Sequence, residues 1–238
     1  MGLKKKLTEK NFYVSIYYVG GGSSMNVIGI NGSPRKKWNT ATLLGKALEG
    51  ARSKGADTEI INLYDLDYKG CKSCFSCKTI KSKSYGRCAV NDDLTEVFKK
   101  IEVADAVILG SPIYFGNVTG EMRSFMERLI FPYFTYTMTP QSLFPNKIKS
   151  GFIYTMNVPV EHMNDFGYPL IFKMNEQYLT ILFGSAESMY SCDTYQFKDY
   201  SKVLCERFDE EHKAKHREEQ FPRDMENAFE MGVRLTKE

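Results

Sequence analysis

The sequence predicts an α/β protein in which a doubly wound, five-stranded parallel sheet lies between two layers of helices. Short apolar runs rich in β-branched residues alternate with longer stretches of helical periodicity along most of the chain. These runs are apolar almost without interruption, which is typical of strands that a parallel sheet buries on both faces. Right-handed crossovers between such strands place helices on both sides and give a three-layer α/β/α sandwich.

The predicted elements alternate in order along the chain. Strands are predicted at 26–30, 58–63, 105–110, 151–156 and 186–192. Helices are predicted at 40–54, 94–103, 119–130 and about 165–183, followed by a charged C-terminal part from 203 onward. Residues 25–238 are therefore predicted to form one domain.

Residues 1–24 are predicted to be a leader outside that domain. They end in Gly20–Ser24, which has the composition of a flexible linker, and Met25 then opens MNVIGINGSPR, a typical beginning for a folded domain. The alternative is a short extra strand formed by FYVSIYY at 12–18.

Composition and charge favour an ordinary globular protein in the cytoplasm. The chain is 42% hydrophobic and 26% charged, and no apolar run has membrane-spanning length. The net charge of +3 arises within the first 24 residues, so the rest of the chain is balanced and predicts no nucleic-acid surface. Because disulfides are rare in the cytoplasm, clustered cysteines there indicate metal binding or redox chemistry.

The segment after the first strand, residues 31–42, has the composition of a phosphate-binding loop. It offers the hydroxyls of Ser33, Thr40 and Thr42 and the charge of Arg35 just where a helix begins. The three-glycine dinucleotide fingerprint and the P-loop pattern are both absent. A monophosphate therefore fits better than NAD or ATP, which favours FMN; the alternative is a plain strand–helix turn.

The segment after the third strand, residues 111–120, is suited to a flat ligand. Pro112 stiffens the exit from the strand, and Gly116 permits a close backbone approach after two aromatic residues, Tyr114 and Phe115. The alternative is that these two aromatic side chains belong to the core. Ligands of such sheets bind outside the carboxyl ends of the strands, so both loops are expected on one edge.

Three stretches resemble the NADPH-dependent FMN reductase and iron–sulfur flavoprotein family. They are NGSPRKKWNTATLL at 31–44, GSPIYFGNVTGEMRSFMERL at 110–129 and FPRDMENAFEMG at 221–232. The resemblance implies a flavodoxin-like fold with the strand order 2-1-3-4-5 and a tightly bound FMN.

The resemblance also implies which residues hold the cofactor. Matching by position, the phosphate would be held by Ser33, Arg35, Asn39, Thr40 and Ala41. The flavin ring would be lined by Pro112, Ile113, Tyr114, Phe115, Gly116 and Asn117, with Thr155, Met156 and Asn157 at its far edge.

Four of the six cysteines, Cys71, Cys74, Cys77 and Cys88, follow the second strand. The strand-end rule places them on the same side of the sheet as the flavin. The related iron–sulfur flavoproteins use such a compact motif for a [4Fe–4S] cluster, but there the fourth cysteine follows the third closely, whereas here a longer segment intervenes. Three alternatives stay open: free thiols are favoured over a cluster, and structural zinc ranks last because its ligands commonly form two separated pairs.

Three further features are interpreted conservatively. His212 and His216 lie four residues apart among alternating charges, which favours a solvated helix over a metal site. His162 is expected in an exposed loop rather than as a proton donor. The aromatic stretch 131–138 is interpreted as a subunit contact and a wall of the site, with core packing nearly as favoured.

The function predicted from these observations is that of an FMN-dependent NAD(P)H oxidoreductase. It would pass electrons to a small-molecule acceptor or exchange them with a ferredoxin-like protein, and no side chain is predicted to be a catalytic acid or base. Related flavoproteins are dimers or tetramers, which implies a homodimer or homotetramer. The alternatives are a flavodoxin-like or iron–sulfur electron carrier without its own substrate, and a cysteine-based redox sensor.

Overall fold

A computed structural model of the protein describes residues 24–237. The predicted leader, with its candidate strand at 12–18, lies outside the described residues apart from Ser24. The described strands are β1 (Asn26–Asn31), β2 (Asp57–Asn62), β3 (Ala106–Tyr114), β4 (Asn117–Val118), β5 (Ile148–Thr155) and β6 (Gly184–Ser191). The described α-helices are α1 (Asn39–Arg52), α2 (Leu94–Glu102), α3 (Gly120–Tyr133), α4 (Tyr168–Phe183), α5 (Glu210–Glu219) and α6 (Phe221–Leu235).

The sheet has the predicted topology with one addition. Five parallel strands lie in the order β2-β1-β3-β5-β6, which is the order 2-1-3-4-5 when only the parallel strands are counted. The short β4 pairs antiparallel with the end of β3, so the sheet has six strands rather than five. The prediction of a flavodoxin-like α/β fold is confirmed.

Two cores cover the two faces of the sheet, as the three-layer prediction requires. On one face the buried side chains come from α2, α3 and α4, and on the other from α1 and α6. The contact between α1 and α6 depends on two glycines. A Cβ atom on Gly50 would lie 2.0 Å from the carbonyl oxygen of Phe229, and one on Gly232 would lie 1.8 Å from that of Ala47. Larger residues at either position would force these helices apart.

Strand β3 continues beyond its predicted end at 110. Its last residues pair with β4 around a tight turn, Ile113 with Val118 and Tyr114 with Asn117. Phe115 and Gly116 at the tip have φ angles of 48° and 84°, the left-handed values that two-residue hairpin turns need. The segment predicted as a loop is therefore a rigid hairpin.

The C-terminal part also differs from its prediction. Helical structure does not continue from 203 but forms α5 and α6, which meet at Gln220. Pro222 lies in the first turn of α6, where its missing N–H is tolerated, and this favours a new helix over one continuous helix. No helix within residues 24–237 has both the length and the apolarity needed to cross a membrane.

Candidate functional site

The loops that follow β1 and β3 lie side by side at the carboxyl edge of the sheet. The backbone N–H of Gly32 donates to the carbonyl oxygen of Gly110 at 2.8 Å, and the hydroxyl of Thr119 donates to the carbonyl oxygen of Gly32 at 2.8 Å. The hydroxyls of Thr40 and Thr155, both buried, are 2.7 Å apart and join the first turn of α1 to the end of β5. Backbone and side-chain bonds thus fix three strand ends relative to one another.

A cavity of about 90 Å³, the strand-end cavity, lies between these loops. Its walls are Ser33, Arg35, Trp38, Asn39, Thr40, Pro112, Ile113, Tyr114, Thr155, Met156, Asn157, Thr194 and Gln196. These walls include an arginine and several hydroxyl and amide groups but no carboxylate, so the lining suits an anion. The enclosed volume suits a phosphate group, and the rest of a mononucleotide would extend to the open side, where Phe115 is fully exposed.

The N-terminus of α1, which borders this cavity, lacks a capping side chain. Trp38 occupies the N-cap position and makes no side-chain hydrogen bond there, and the first turn contains no acidic residue. The N-caps Thr119 of α3 and Asp209 of α5 each accept a backbone N–H of their own helix, whereas the N-cap residues of α2, α4 and α6, like that of α1, make no such bond. Among these helices, α1 is the one whose first residues border the strand-end cavity. An anion there would supply the bonding that α3 and α5 obtain from a side chain.

The structure brings together most of the predicted cofactor residues. Of the phosphate group, Ser33, Arg35, Asn39 and Thr40 line the cavity, whereas Ala41 lies buried in the first turn of α1 behind it. Of the ring group, Pro112, Ile113, Tyr114 and Thr155 line the cavity with Met156 and Asn157. Phe115, Gly116 and Asn117 form the hairpin beyond the cavity wall. Tyr114 and Phe115 are exposed, so the alternative that they are core residues is wrong.

Residues 194–197, here called the covering segment, contact this site without having been predicted. The carbonyl oxygen of Tyr195 accepts from the Asn39 amide at 3.0 Å and from the Trp38 indole at 3.2 Å. That of Gln196 accepts from the Arg35 guanidinium at 2.5 Å. The covering segment therefore fixes three side chains of the α1 entry loop, and backbone carbonyls carry no signal that a sequence pattern could reveal.

One buried polar atom of the site has no partner among the described residues. Asn157 lines the cavity, and its side-chain oxygen is buried and accepts no hydrogen bond from any of them. Leaving such an acceptor unpaired costs about 1–3 kcal/mol. An FMN molecule carries ribityl hydroxyls and a ring N–H that could satisfy this acceptor, and its phosphate matches the uncapped α1. The residues present therefore fit FMN.

The cysteine loop, residues 70–88, follows β2 at the same edge of the sheet. All four predicted ligands, Cys71, Cys74, Cys77 and Cys88, line one small cavity. The segment between the third and fourth cysteines loops out and returns, because the N–H of Gly86 donates to the carbonyl oxygen of Cys77 at 3.0 Å. The longer spacing thus still brings the fourth cysteine back to the other three.

Arg128 of α3, only 2% exposed, holds both arms of the cysteine loop. Its guanidinium donates to the carbonyl oxygen of Lys69 before the cysteines at 2.9 Å, and to the sulfur of Cys88 at 2.9 Å. It also pairs with both carboxylate oxygens of Asp92 at 2.8 and 3.1 Å. No sequence pattern singles out this arginine within an amphipathic helix.

The thiols of the cysteine loop differ from one another. Hydrogen bonds from the backbone N–H and the side chain of Ser76 lower the pKa of the exposed Cys74 below its ordinary value. Burial raises the pKa of Cys77. Cys74 is flanked by Ser73 and Phe75, whose φ angles of 53° and 56° are left-handed, so the backbone around this thiol is held in an uncommon conformation.

The chemistry of this donor set fits an iron–sulfur cluster, but the present spacing of the side chains does not. Four cysteines with hydrogen-bond donors at two of the sulfurs are what such clusters use. Among residues 24–237, however, no three His, Cys, Asp or Glu side chains are close enough together to share a metal ion. Cluster binding would require the thiols to move toward one another.

His162 lies in an exposed loop, as predicted. The helix α5 that carries His212 and His216 was predicted to be solvated, and this needs a correction. His162 is exposed and contacts Asp165. His212 contacts Asp193 at 2.7 Å, but its neighbour Lys213 is 1% exposed and donates to Asp193 and, at 2.7 Å, to the carbonyl oxygen of Asn157. Helix α5 is therefore not wholly solvated, because its lysine supports the loop that carries the unpaired acceptor.

Comparison with known proteins agrees with this geometry. The family model for NADPH-dependent FMN reductase matches residues 25–150. An iron–sulfur flavoprotein of Methanocaldococcus jannaschii is 42% identical over 104 residues, which are 44% of this chain and 51% of that protein. The chain thus spans about half the length of the curated relatives it matches.

Two solved structures show the same fold across nearly the whole chain. An NAD(P)H:quinone oxidoreductase from Methanothermobacter marburgensis superposes with a TM-score of 0.63 at 15% identity, covering 91% of this chain and 99% of that one. An FMN-dependent NADH-azoreductase from Bacillus anthracis in complex with FMN superposes with a TM-score of 0.60 at 14% identity, covering 89% of this chain and 100% of that one. Since the family model matches more than half of its residues, the chain belongs to the NADPH-dependent FMN reductase family.

Proposed function

We propose that the protein is an FMN-dependent oxidoreductase that takes a hydride from NAD(P)H and passes electrons to an acceptor. The observation that carries this proposal is the strand-end cavity, where an uncapped helix N-terminus, Arg35 and an unpaired Asn157 oxygen meet without a carboxylate. Family membership and the FMN complex of the azoreductase support FMN as the occupant.

Each part of the site has a task in this proposal. When bound, FMN supplies the two-electron and one-electron chemistry, and the protein binds, orients and electrically tunes it. Ser33, Thr40 and the first-turn N–H groups of α1 hold the phosphate, with Arg35 adding charge. The end of β3 and its hairpin place Tyr114 and Phe115 beside the open side of the cavity, where apolar surface excludes water from the ring.

The acceptor in this proposal is a small molecule such as a quinone, an azo compound or a disulfide, and a ferredoxin-like protein is the other electron partner. The quinone oxidoreductase and azoreductase that share the fold support the small-molecule class. A cytoplasmic location stays a prediction.

The test is an anaerobic titration of the purified protein reconstituted with FMN. Flavin is expected to remain bound after gel filtration and to bleach on addition of NADPH or NADH, with reoxidation by a quinone. Protein that retains no flavin would contradict the cofactor assignment. Flavin that stays oxidised with both nucleotides, yet is reduced by dithionite, would instead show the electron-carrier alternative.

A second candidate function, iron–sulfur electron transfer, is favoured by the cavity that all four loop cysteines share. In this proposal the cysteine loop takes up a cluster, and the relatives named iron–sulfur flavoproteins support it. Anaerobic reconstitution with iron and sulfide, followed by iron and acid-labile sulfide assays, tests it. Four irons per chain are expected, fewer in Cys88→Ala, and the same number in the control Cys205→Ala; no retained iron in the wild-type protein would exclude a cluster.

We further propose that two copies of the chain associate through α4 and the aromatic stretch 131–138. Helix α4 exposes an apolar stripe at helical spacing, namely Leu170, Met174, Tyr178 and Ile181. Tyr136 and Met138 of the aromatic stretch are also exposed, which makes core packing the weaker interpretation for these two. Light scattering is expected to give twice the chain mass or a multiple of it, and Met174→Glu to halve it, whereas Lys173→Glu beside it should not. A monomeric wild-type protein would contradict the proposal.

A further inference from the structure

We propose that Arg217 of α5 is a positioning residue for the phosphate end of the flavin site. It holds the first turn of α1 in place and adds positive charge beside the strand-end cavity. The inference rests on the proposed function. It concerns a residue outside the segment 25–150 that the family model matches, brought to the site only by the fold.

The first support is a direct hydrogen bond to the entry of α1. Arg217 donates to the side-chain oxygen of Asn39 at 2.7 Å, and Asn39 is the first residue of α1 and part of the cavity wall. Because that oxygen accepts from the guanidinium, the amide nitrogen faces the other way and donates to Tyr195. The arginine thus selects one orientation of the Asn39 amide and, through it, ties α1 to the covering segment.

The second support is the packing of Arg217 on aromatic rings. Its guanidinium lies 5.4 Å from the ring centre of Trp38 and 4.9 Å from that of Phe221. The guanidinium of Arg35 lies 5.5 Å from the same Trp38 ring. Cation–π contacts at these distances are attractive and hold a planar guanidinium in one orientation. Trp38, the N-cap residue of α1, therefore contacts the guanidinium groups of both Arg35 and Arg217.

The third support is the local charge balance. Among residues 24–237, neither Arg35 nor Arg217 lies within ion-pair distance of a carboxylate. Their charges add to the positive end of α1 and are not neutralised by a neighbour. A region with two unneutralised arginines and an uncapped helix end is matched to a phosphate dianion rather than to a neutral ligand.

A purely structural role for Arg217 makes a different prediction. If the arginine only attached α5 to the rest of the fold, its loss would loosen the whole pocket and weaken every flavin alike. A role at the phosphate weakens FMN selectively, because riboflavin has the same ring and ribityl chain but no phosphate. The ratio of the two dissociation constants separates these cases.

The experiment measures FMN and riboflavin binding by flavin fluorescence quenching in the full chain. Arg217→Met is expected to weaken FMN binding about tenfold, as loss of one charge near a helix N-terminus would, while riboflavin binding stays within about twofold. Arg217→Lys keeps the charge and is expected to recover part of the FMN affinity. The matched control is Arg223→Met, which removes an exposed arginine of α6 and is expected to change neither constant.

The outcomes are distinct. Unchanged FMN binding in Arg217→Met, or equal weakening of both flavins, would overturn the inference. If that variant does not fold, Arg217→Gln and Arg217→Lys decide in the same way: an FMN-selective loss that is larger in the glutamine variant supports it, and equal losses overturn it. Wild-type protein that binds neither flavin would contradict the proposed function itself, which is a separate result.

Discussion

The strand-end cavity and the cysteine loop lie at one edge of one sheet but are held by different means. The cavity lies between strand ends that backbone and hydroxyl hydrogen bonds join directly, as in the pair Gly32–Gly110 and the pair Thr40–Thr155. The cysteine loop has no strand or helix and is fixed by its own turns and by side-chain contacts with neighbouring elements. These contacts are those of Arg128, the ion pair Arg87–Glu102, and the bonds from Lys78 to the carbonyl oxygens of Pro132 and Phe134. Rigidity in the first region comes from the sheet itself, and in the second from side-chain contacts.

This difference has a functional consequence under the proposed function. A cavity fixed by the sheet can present preorganised donors to an anion, and its affinity depends on charges placed there. A loop without strand or helix, held by side-chain contacts, can rearrange, which is what its four separated thiols would need in order to meet at a cluster. Substitutions in the cavity should therefore act on ligand binding, and those at Arg128 on stability and thiol chemistry.

The largest expected effect is that of Thr40→Glu, which places a carboxylate against the proposed phosphate site. Unit charges about 4 Å apart interact by about 4 kcal/mol at an effective dielectric constant of about 20. Since 1.4 kcal/mol is a factor of ten, FMN affinity should fall by at least about 100-fold. Equilibrium titration with FMN measures this, and flavin content equal to that of the wild type would contradict the placement of the site.

Two companion variants separate repulsion from misfolding. Thr40→Val keeps the shape but loses the bond to Thr155, so it should weaken FMN binding only severalfold, as expected for one lost hydrogen bond worth about 1 kcal/mol. Thr42→Glu puts the same charge in the same helix at a residue that does not line the cavity, and it should weaken FMN far less than Thr40→Glu.

The next effect in size concerns Arg128, whose replacement by methionine leaves Asp92 partly buried and unpaired. Removing one partner of a buried ion pair costs about 3–5 kcal/mol, so urea unfolding should show a loss of that order. FMN affinity of the folded fraction should stay within about threefold of the wild type, because the cavity does not depend on this residue.

A matched control exists on the same helix. Arg123→Met removes an exposed arginine that pairs with Glu127 at 3.4 Å, and exposed pairs contribute at most about 1 kcal/mol. If Arg128→Met were no more destabilising than Arg123→Met, the role of Arg128 as the anchor of the cysteine loop would be wrong.

The features that depend on neighbouring residues could be predicted from the sequence, whereas the contacts between residues far apart in the chain could not. The strands and the two loops could be predicted, because each signal lies within a few residues: an apolar run, then hydroxyls or aromatic residues, then a helix. The strand order was implied by the family resemblance. The contacts of Asn39 with Tyr195 and with Arg217 join residues 156 and 178 positions apart. No periodicity specifies such pairs, and the same holds for the contacts of Arg128 with both arms of the cysteine loop.

The smallest effect is a difference in thiol reactivity between two residues of the cysteine loop, Cys74 and Cys77. In iron-free, reduced protein, iodoacetamide should modify Cys74 at least about tenfold faster than Cys77, since thiolates are the reactive form and Cys74 is exposed with a lowered pKa. A lowered pKa keeps thiolate present as pH falls, so the rate at Cys74 should decline at a lower pH than the rate at Cys77. Mass spectrometry of quenched samples measures both.

Ser76→Ala removes one of the hydrogen-bond donors to Cys74 and should move the pH profile of its modification rate toward higher pH. Identical pH profiles for Cys74 and Cys77 would show that the loop is far more mobile than its hydrogen bonds indicate.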